Sequence, residues 1–337
     1  MIIKHFTIPI FIPGVACPHQ CIFCDQKKIS GRQKLPSAEK IKNIIEEHLT
    51  TISKENTLVE VGFFGGTFTG LSLKKQEEFL KVVAPFIDKG FVKSIRLSTR
   101  PDFINDEILE LLKNNHVETI ELGAQSLHDD ILLACERGHT LDDVVKASKM
   151  VLDYGFHLGL QMMIGLPCDT LEKTKQTAEK IVELGADNTR IYPTLVVKGT
   201  KLEELFNNGE YTALPLDKAV KWTKELFNIF EKNNVNIIRV GLHPSEGLLN
   251  GDDLIAGPFH QSFRELVLTE IWNDFLLPLT KKYKDCEKII INVPEKEYNY
   301  AIGYKAKNKK MLEKYFKKVS FKRDKSLKNR TYYADCC

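Results

Sequence analysis

The sequence predicts an α/β protein: a partial (β/α)6 TIM-like barrel with a small C-terminal α/β appendage. Apolar, β-branched runs alternate with amphipathic stretches at intervals of about 30 residues, the size of a strand–helix–strand unit. The apolar runs are hydrophobic on both faces, as buried parallel strands are. Near residue 280 the composition shifts to lysine-rich segments, and this shift marks the appendage.

Six strands are predicted in the barrel, most of them followed by a helix that returns the chain to the next strand. The predicted strands cover 5–13, 58–65, 92–99, 117–124, 157–165 and 188–196. The predicted helices cover 37–53, 72–88, 104–114, 140–153 and 171–185. Polar, glycine-bearing segments follow several of these strands, where an α/β barrel builds its ligand site.

The remaining chain is expected to connect the barrel to the appendage and then to form it. A helix at 217–233, a strand-like run at 236–242 and a helix around 262–276 make the connection. KIIINVP, NKKMLEKYFKK and VSFKRD have the pattern strand, helix and strand. We therefore predict a barrel domain at 1–240, a barrel-closing connector at 241–280 and a basic C-terminal α/β domain at 281–337.

Composition favours a cytoplasmic protein. The chain has 337 residues, 43% of them hydrophobic, which is enough for one large core. No apolar run approaches the roughly 18 residues of a membrane span, and residues 1–14 lack the cleavage site of a signal peptide. Eight cysteines in a chain of this length do not indicate a disulfide scaffold, so clustered cysteines indicate metal binding or catalysis.

Charge is distributed unevenly along the chain. Residues 281–330 carry 17 Lys and Arg against 6 Asp and Glu, whereas the rest of the chain carries 31 against 39. A basic segment on a mildly acidic body indicates a phosphate-rich partner such as RNA. The alternative is an ordinary solvated lysine face.

Three cysteines lie within the eight residues Cys17-Pro-His-Gln-Cys21-Ile-Phe-Cys24. A structural zinc or an ordinary iron–sulfur cluster takes four protein ligands, and no fourth cysteine lies nearby. Three thiolates can hold a 4Fe-4S cluster by three of its irons and leave the fourth iron open. The alternative is a zinc knuckle with a distant fourth ligand.

An open iron can accept a small chelating ligand that has an amine and a carboxylate. The methionyl end of S-adenosyl-L-methionine has both groups. An electron passed from a low-potential cluster into the sulfonium would break the S–C5′ bond and give methionine and a 5′-deoxyadenosyl radical that abstracts hydrogen. The protein would position the cofactor and the substrate and would exclude competing reactions.

The CxxxCxxC spacing, with Phe23 before the third cysteine, resembles the signature of the radical SAM superfamily. Further blocks resemble, in order and in spacing, the radical SAM half of the Elongator catalytic subunit over about residues 5–240. These blocks are GGTFT (65–69), STRPD (98–102), ELGAQS (121–126), RGHT (137–140), GLPCDT (165–170) and RIYPTLVVKGTKLEELFNNGEY (190–211). The resemblance implies a barrel of the radical SAM type, a 4Fe-4S cluster and S-adenosylmethionine.

The resemblance also implies individual roles. Cys17, Cys21 and Cys24 would hold the cluster. The cofactor contacts would come from Phe23, Gly65, Gly66, Thr67, Arg100, Gln125, Arg137, Gly165, Leu166, Pro167 and Tyr192.

Most of these contacts have a structural alternative. The two glycines would let backbone carbonyls approach the cofactor's ammonium, or they would simply form a turn. Arg100 could bind the cofactor's carboxylate or pair with Asp102. Arg137 suits the same carboxylate, with a helix-start salt bridge as the alternative. Tyr192 follows a strand, where an aromatic side chain usually packs in the core.

The chain departs from the Elongator subunit after the barrel. That subunit continues into an acetyltransferase domain, which nothing in this sequence resembles, so the resemblance implies the cofactor chemistry and leaves the reaction open. Residues 239–267 stand in its place and offer His243, His260 and Arg264 as candidate substrate contacts.

The segment 300–316 resembles the glycine loop and following helix of a KH RNA-binding domain. The loop is Gly303-Tyr304-Lys305-Ala306, so the second glycine is missing. The candidate phosphate contacts are Lys305, Lys307, Lys309 and Lys310.

Three functions remain open on the sequence. The first is a radical SAM enzyme that acts on a tRNA base. The second is a radical SAM enzyme that acts on a small molecule or tetrapyrrole, as relatives of the oxygen-independent coproporphyrinogen oxidase do. The third is a non-catalytic cluster or cofactor carrier. Either enzyme would need an electron donor such as ferredoxin or flavodoxin.

Three other cysteines are interpreted separately. Cys168, in GLPCDT, is expected to fill core space. The pair Cys336-Cys337 is expected to be an inert or substrate-proximal tail, with auxiliary cluster ligands or a redox pair as the alternatives.

Overall fold

The computed structural model describes residues 4–14, 17, 20–30, 34–53, 55–242 and 245–336. The chain forms two compact units. The barrel unit comprises Met1–Pro215 and Phe227–Phe259, and the C-terminal unit comprises Leu216–Leu226 and His260–Cys337. The C-terminal unit therefore takes in residues before 281, where the sequence placed the domain boundary.

The barrel unit is built on one parallel sheet of seven strands, in the order β1-β2-β3-β4-β5-β6-β8. The strands are β1 (Lys4–Ile12), β2 (Thr57–Gly65), β3 (Ser94–Thr99), β4 (Val117–Gln125), β5 (His157–Ile164), β6 (Asn188–Pro193) and β8 (Asn236–Val240). Side chains on both faces of the central strands are buried. The predicted α/β partial barrel is confirmed, and the strand-like run at 236–242 extends its sheet by a seventh strand.

Helices connect these strands. They are α1 (Gln26–Ser30), α2 (Ala38–Thr51), α3 (Leu73–Asp88), α4 (Asp106–Lys113), α5 (Asp129–Ala134), α6 (Leu141–Asp153), α7 (Leu171–Glu183), α8 (Lys201–Asn207), α9 (Leu216–Lys232) and α10 (Glu246–Asn250). Hydrogen bonds to N-cap side chains fix the first turn of several of these helices. Ser37 accepts a hydrogen bond from the Lys40 amide at 3.1 Å, and Thr140 forms a capping box with Asp143.

Shorter elements complete the barrel unit. β7 (Val196–Val197) pairs with β9 (Leu254–Ala256) as an antiparallel ribbon. Single 3-10 turns follow β2 and β3, at Phe68–Gly70 and Pro101–Phe103. These turns lie at the C-terminal ends of the strands.

The C-terminal unit has a three-stranded sheet in the order β11-β10-β12. Its elements are α11 (Phe263–Leu276), α12 (Leu279–Lys282), β10 (Lys288–Pro294), α13 (Tyr298–Ile302), α14 (Lys307–Leu312), β11 (Lys318–Asp324) and β12 (Tyr333–Cys336), with 3-10 turns at Glu295–Glu297 and Tyr304–Ala306. The core of the unit contains Trp272, Ile289, Ile291 and Phe316. The sequence predicted the strand–helix–strand pattern but not the antiparallel β12.

Cys336 corrects the interpretation of the last residues as an inert tail. It is joined to Cys286 by a disulfide, with the two Cα atoms 5.8 Å apart, and lies in β12 opposite Ile289 of β10. Cys337 lies outside the described residues. Among the helices that the structure describes, none combines the length and the apolar character needed to cross a membrane.

Candidate active site

The three clustered cysteines lie in the segment that follows β1. Cys17, Cys21 and Cys24 are free thiols, and all three line a cavity of about 450 Å³. Residues at the C-terminal ends of β2, β3 and β4 line the same cavity. The strand order thus places the cysteine segment and the ends of neighbouring parallel strands around one space. We call this space the thiol cavity.

Two of the thiols contact polar groups from other parts of the barrel. Cys17 Sγ lies 3.2 Å from Thr67 Oγ1. Arg137 Nη1 donates to Cys21 Sγ at 3.3 Å, and its Nη2 donates to the carbonyl oxygen of Gly123 at 2.8 Å. A donor that faces a sulfur stabilises the thiolate, which is the form that binds metal.

Cys24 is partly buried and lies beside the buried Phe23. Burial, together with the nearby Cys21 and Cys17, raises the pKa of Cys24 to about 12, while a hydrogen bond from Gln26 Nε2 at 3.4 Å acts in the opposite direction. The sulfurs of Cys17 and Cys21 are therefore close enough to oppose the ionisation of Cys24. A bound cation relieves this opposition, because metal binding releases the thiol protons.

The arrangement differs from that of a single-ion site. Within the described ranges, no group of three His, Cys, Asp or Glu side chains has the geometry to hold one metal ion. A 4Fe-4S cluster does not need such a group, because each thiolate binds a different iron.

Two buried arginines of the thiol cavity carry nitrogen atoms without an acceptor among the described residues. Arg137 Nε is one of these atoms. Arg100 forms a two-point pair with Asp102, at 2.9 and 2.8 Å, and its Nη1 is the other. Because buried N–H groups without acceptors are rare and costly, an acceptor supplied by a ligand fits this wall. A carboxylate is the group that a guanidinium recognises best, so the wall fits a cofactor with an amino-acid end.

Gly65 ends β2 in a conformation that favours glycine. Its φ is +105°, and a Cβ at this position would lie 2.6 Å from the carbonyl oxygen of Ile12 on β1. The next residue, Gly66, donates its amide to the same oxygen at 2.6 Å. The glycines therefore permit close packing against the end of β1, which is the strand that leads into the cysteine segment.

His139 lies buried near the two arginines of the thiol cavity. Burial lowers its pKa to about 3, and the positive charges of Arg137 and Arg100 act in the same direction. The imidazole is therefore neutral at neutral pH and adds no charge to this wall.

A second cavity, of about 460 Å³, adjoins the thiol cavity, and we call it the inner chamber. Residues that line both spaces are Phe23, Cys24, Gln26, Gly65, Ser98, Gln125 and Gln161. The rest of the chamber is lined by apolar side chains such as Pro9, Met163 and Leu195, together with aromatic rings and arginines from the barrel strands. The aromatic residues and arginines are Phe11, Phe64, Tyr192, Arg96, Arg190 and Arg239.

A buried ion network lies behind the inner chamber. The Glu121 side chain is fully buried and is contacted by Arg96 Nε at 2.9 Å, Arg190 Nη2 at 2.9 Å and Gln161 Nε2 at 3.0 Å. Burial alone would raise the pKa of Glu121, but Arg190 and Arg96 outweigh it and leave the pKa below its usual value. Arg96 also contacts Glu60 at 3.4 Å.

Sequence reasoning did not single out this network. The available signal was an arginine in SIRLST, an arginine in NTRIYP and two glutamates in VETIELGA, all within predicted barrel strands. Charges on strands that are buried on both faces must be paired, so these residues could have been predicted to meet.

Comparison with known proteins gives the family. The profile of the Radical SAM superfamily matches residues 11–181, and that of the Radical SAM C-terminal domain matches residues 186–273. The chain belongs to the radical SAM superfamily. The matched residues contain the cysteine segment and all of β2, β3, β4, β5, β6 and β8.

Two curated proteins are similar to this chain in sequence. An uncharacterized protein of Methanocaldococcus jannaschii is 33% identical over 224 residues, which cover 63% of this chain and 67% of the relative. The tRNA uridine(34) acetyltransferase of Methanocaldococcus infernus is 26% identical over 255 residues, which cover 64% of this chain and 48% of the relative. This chain therefore matches only about half the length of that acetyltransferase.

A solved structure shows the same fold. The archaeal Elp3 of Methanocaldococcus infernus matches with a TM-score of 0.66 and 20% identity, over 82% of this chain and 64% of that chain. The predicted resemblance to the radical SAM domain of the Elongator catalytic subunit is confirmed.

Ten of the predicted radical SAM residues line the thiol cavity. They are Cys17, Cys21, Phe23, Cys24, Gly65, Gly66, Thr67, Arg100, Gln125 and Arg137. Gln125 adopts φ +66° at a register shift between β4 and β5, a strained conformation for a residue with a side chain. The role of each residue toward a cofactor stays a prediction.

Four other predicted cofactor residues lie elsewhere. Gly165, Leu166 and Pro167 follow β5 and do not belong to the described lining of the thiol cavity. Leu166 is buried in a cluster that contains Phe23, and the Gly165 carbonyl accepts a hydrogen bond from Tyr211 at 2.6 Å. Tyr192 lines the inner chamber instead.

Not all of the predicted substrate contacts lie within the described residues. His243 lies outside the described residues. His260 and Arg264 belong to the C-terminal unit, where His260 Nδ1 accepts from the Ser262 amide at 3.0 Å and its ring meets Tyr304 edge-on at 5.2 Å.

The predicted lysines also belong to the C-terminal unit. Lys307 pairs with Glu270, and Lys309 lies 3.7 Å from Glu313. In the loop before α14, Lys305 and Ala306 both adopt positive φ, at +50° and +61°. Ala306 thus holds the left-handed conformation that the missing second glycine would adopt more easily.

Cys168 does not fill core space as expected. It is exposed and adopts φ +64° in the turn after β5. A turn at the end of a strand leaves its side chain facing solvent.

Proposed function

We propose that this chain is a radical SAM enzyme that binds a 4Fe-4S cluster through Cys17, Cys21 and Cys24 and acts on a base of tRNA. The thiol cavity carries the proposal, because three free cysteines and two buried arginine N–H groups without described acceptors border one space. Bound S-adenosylmethionine, once reduced, would supply a 5′-deoxyadenosyl radical for hydrogen abstraction.

The residues of the thiol cavity would have distinct tasks. Arg137 would hold the Cys21 sulfur and, through Nε, the carboxylate of the cofactor. Arg100 is held by Asp102 with Nη1 left to donate to the same carboxylate. Gly65 and Gly66 would keep the end of β2 close to the cysteine segment. Leu166 would support the adenine side through its contact with the Phe23 cluster.

The inner chamber would hold the reacting part of the substrate. It shares a wall with the thiol cavity, so a group bound there lies next to the space where the radical forms. Its aromatic lining would exclude water, which protects a reactive intermediate from side reactions.

Two observations support contact with RNA: the similarity of this chain to a tRNA uridine(34) acetyltransferase and the positive charge of its C-terminal segment. Residues 281–330 carry the basic excess of the chain. Lys305 and Lys310 have no carboxylate within 4 Å among the described residues, whereas Lys307 and Lys309 each have one. The two lysines without a carboxylate are therefore the better phosphate contacts.

The proposal extends to partners, location and organisation. Ferredoxin or flavodoxin would donate the electron, and the enzyme would work in the cytoplasm. The barrel domain at 1–240 would carry the chemistry, the connector at 241–280 would close the barrel, and the basic domain at 281–337 would bind RNA.

The test is anaerobic turnover by the reconstituted full chain. With dithionite and S-adenosylmethionine we expect 5′-deoxyadenosine, and we expect bulk tRNA to increase its formation and to yield a modified nucleoside on digestion. Stimulation by a tetrapyrrole or another small molecule, but not by tRNA, would favour the small-molecule enzyme. Absence of 5′-deoxyadenosine with every candidate would favour the carrier.

The RNA contact has its own test. The double variant Lys305→Ala, Lys310→Ala should weaken tRNA binding at physiological salt. The slope of log affinity against log salt concentration should fall by the amount expected for the loss of about two phosphate contacts. The double variant Lys307→Ala, Lys309→Ala removes the same charge from ion-paired positions and should weaken binding less. Equal effects of the two variants would contradict the assignment of Lys305 and Lys310.

A further inference from the structure

A third cavity, of about 420 Å³, lies in the C-terminal unit, and we call it the tyrosine cavity. Two of its lining residues, Glu265 and Thr269, come from α11. Others come from the turn at Glu295–Glu297, from α13 and from the loop before α14, and they include Lys296, Asn299, Tyr300 and Tyr304. None of these residues lines the thiol cavity or the inner chamber, so the tyrosine cavity is a separate candidate site.

Buried contacts hold α11, α13 and α14 together around the tyrosine cavity. The Asn308 side chain is fully buried, and its Nδ2 donates to the carbonyl oxygens of Thr269 and Ala301 at 3.0 and 3.2 Å. Asn273 Nδ2 donates to Asn308 Oδ1 at 3.1 Å. A Cβ at Gly303 would lie 2.9 Å from Thr269 Cγ2, so the loop packs closely on α11. The walls of the cavity are therefore pre-formed, which lowers the entropy lost when a ligand binds.

The loop at the edge of the tyrosine cavity has a strained backbone. The Tyr304 amide donates to Thr269 Oγ1 at 2.8 Å, which fixes the start of the loop. The next two residues, Lys305 and Ala306, have φ values of +50° and +61°. Such conformations are unfavourable for residues other than glycine and are concentrated at functional sites. Here they place Lys305 Nζ 5.5 Å from the ring centre of Tyr304, which lines the cavity.

The two tyrosines of the cavity differ in their surroundings. The Tyr304 ring meets the His260 ring edge-on at 5.2 Å and also contacts Lys305. Tyr300 is half-buried and packs against the core of the C-terminal unit, and its ring has no aromatic or cationic partner among the described residues. An aromatic ring that is supported by a core and lines a cavity can stack a nucleobase.

The polar groups of the cavity complement the edge of a base. Within the described part of the chain, the side chains of Glu265, Lys296 and Asn299 have no hydrogen-bond or ion-pair partner. A carboxylate accepts hydrogen bonds, an ammonium donates them and an amide does both. Guanine offers N–H donors beside a carbonyl acceptor, which a carboxylate and an ammonium complement. Residues 281–330 are also rich in Lys and Arg, which favours a ligand that carries phosphate.

We propose that the tyrosine cavity binds one base of single-stranded RNA, with the base stacked on Tyr300, its N–H groups donated to Glu265 and an adjoining phosphate beside Lys305. Guanine is the base that fits best. The inference rests on the proposed function for its partner, RNA, and is independent of the chemistry of the barrel. Phosphate contacts alone carry no sequence information, so this cavity would give the basic domain a preference for one base.

The test measures binding of oligonucleotides that differ by one base, by fluorescence anisotropy on the reconstituted full chain at low salt. Each probe is a pentanucleotide with abasic sugars at every position except the centre, which carries guanine, adenine, cytosine, uracil or no base. All of the probes carry the same phosphate charge. We expect the guanine probe to bind about fivefold or more tightly than the wholly abasic probe, the gain from stacking one base, and the other bases to gain less.

Variants assign this gain to the cavity. Tyr300→Ala should remove the gain, and Tyr300→Phe should keep it because the ring remains. Glu265→Gln should lower the preference for guanine over adenine without weakening the binding of the abasic probe. Tyr315→Ala and Glu287→Gln change an exposed tyrosine and an exposed glutamate of the same unit outside the cavity lining, and should leave the base preference unchanged. The melting temperature shows that each variant is folded.

Equal binding of the guanine and abasic probes overturns the proposal, and so does a guanine gain that survives Tyr300→Ala in folded protein. Either result leaves phosphate contact with RNA intact, so the base site can fail while the proposed function stands. Absence of binding by every probe would overturn the base site together with the RNA contact. A guanine gain without stimulation of 5′-deoxyadenosine formation by tRNA would support the base site and reject tRNA as the substrate of the barrel.

Discussion

Glu121 shows how one residue can organise the interior of a barrel. Its carboxylate receives groups from β3, β5 and β6, so four neighbouring strands are tied together behind the inner chamber. A sequence shows that a glutamate lies within an apolar strand, but it does not show which arginines reach it. That depends on strand order and register, which only the folded sheet provides.

Replacement of Glu121 by Gln should destabilise the barrel strongly. The amide leaves two buried guanidiniums without a full counter-charge, a loss of about 3–5 kcal/mol in the free energy of unfolding. Glu183→Gln, which breaks an exposed pair with Lys180, should cost within about 1 kcal/mol. Denaturant unfolding at pH 7 measures both, and similar costs for the two variants would contradict the account.

The pH dependence of this effect has a defined sign. The folded-state pKa of Glu121 is lowered, so its ionisation stabilises the fold above the unfolded-state pKa of about 4.3. That contribution is lost as the pH falls through the lower folded-state pKa. The difference in the free energy of unfolding between wild type and Glu121→Gln should therefore be largest at neutral pH and become smaller in acid. A difference that grew in acid would contradict the lowered pKa of Glu121.

Gly65 offers a second prediction for a single residue. Gly65→Ala would place a Cβ 2.6 Å from the Ile12 carbonyl at φ +105°, so we expect a loss of about 2 kcal/mol or more and impaired iron uptake. Gly90→Ala is the matched control, since its φ is also positive, at +71°, but no atom lies within 4 Å of the added Cβ. Thermal unfolding and iron content should separate the two, and equal iron uptake would contradict the role given to Gly65.

At the scale of elements, local patterns predicted most of the barrel. The predicted helix at 140–153 corresponds to α6 because Thr140 provides a capping box at its start. β12 was missed because its exposed residues lack an apolar pattern and it is held by pairing with β10. The disulfide was missed because its cysteines are 50 residues apart in sequence.

The disulfide between Cys286 and Cys336 should stabilise the C-terminal unit. It closes a loop of 50 residues, which in a chain-entropy account contributes about 4 kcal/mol. Cys286→Ser should lower the melting temperature under oxidising conditions and have little effect in dithiothreitol, while Cys168→Ser should have little effect in both. Peptide mapping that found both thiols unlinked in oxidised protein would contradict this pairing.

At the scale of the whole molecule, the thiol cavity was more predictable than the inner chamber. Ten of the residues predicted for the cluster and the cofactor lie in the cysteine segment or near the ends of neighbouring parallel strands, so most of the sequence motifs meet at this cavity. The inner chamber depends on side chains from many strands, and on pairs such as Arg190 and Arg239 that no motif connects. The fold is shared by enzymes with different substrates and cannot choose among them.

The central claim is that three thiols of the barrel hold a four-iron cluster. Anaerobic reconstitution followed by iron and sulfide analysis and absorption spectroscopy tests it most directly, with Cys21→Ala against Cys168→Ala as the matched pair of free cysteines. We expect about four irons per chain in wild type and in Cys168→Ala, and loss of the cluster in Cys21→Ala. A Cys21→Ala protein that assembled the cluster as well as wild type would contradict the account.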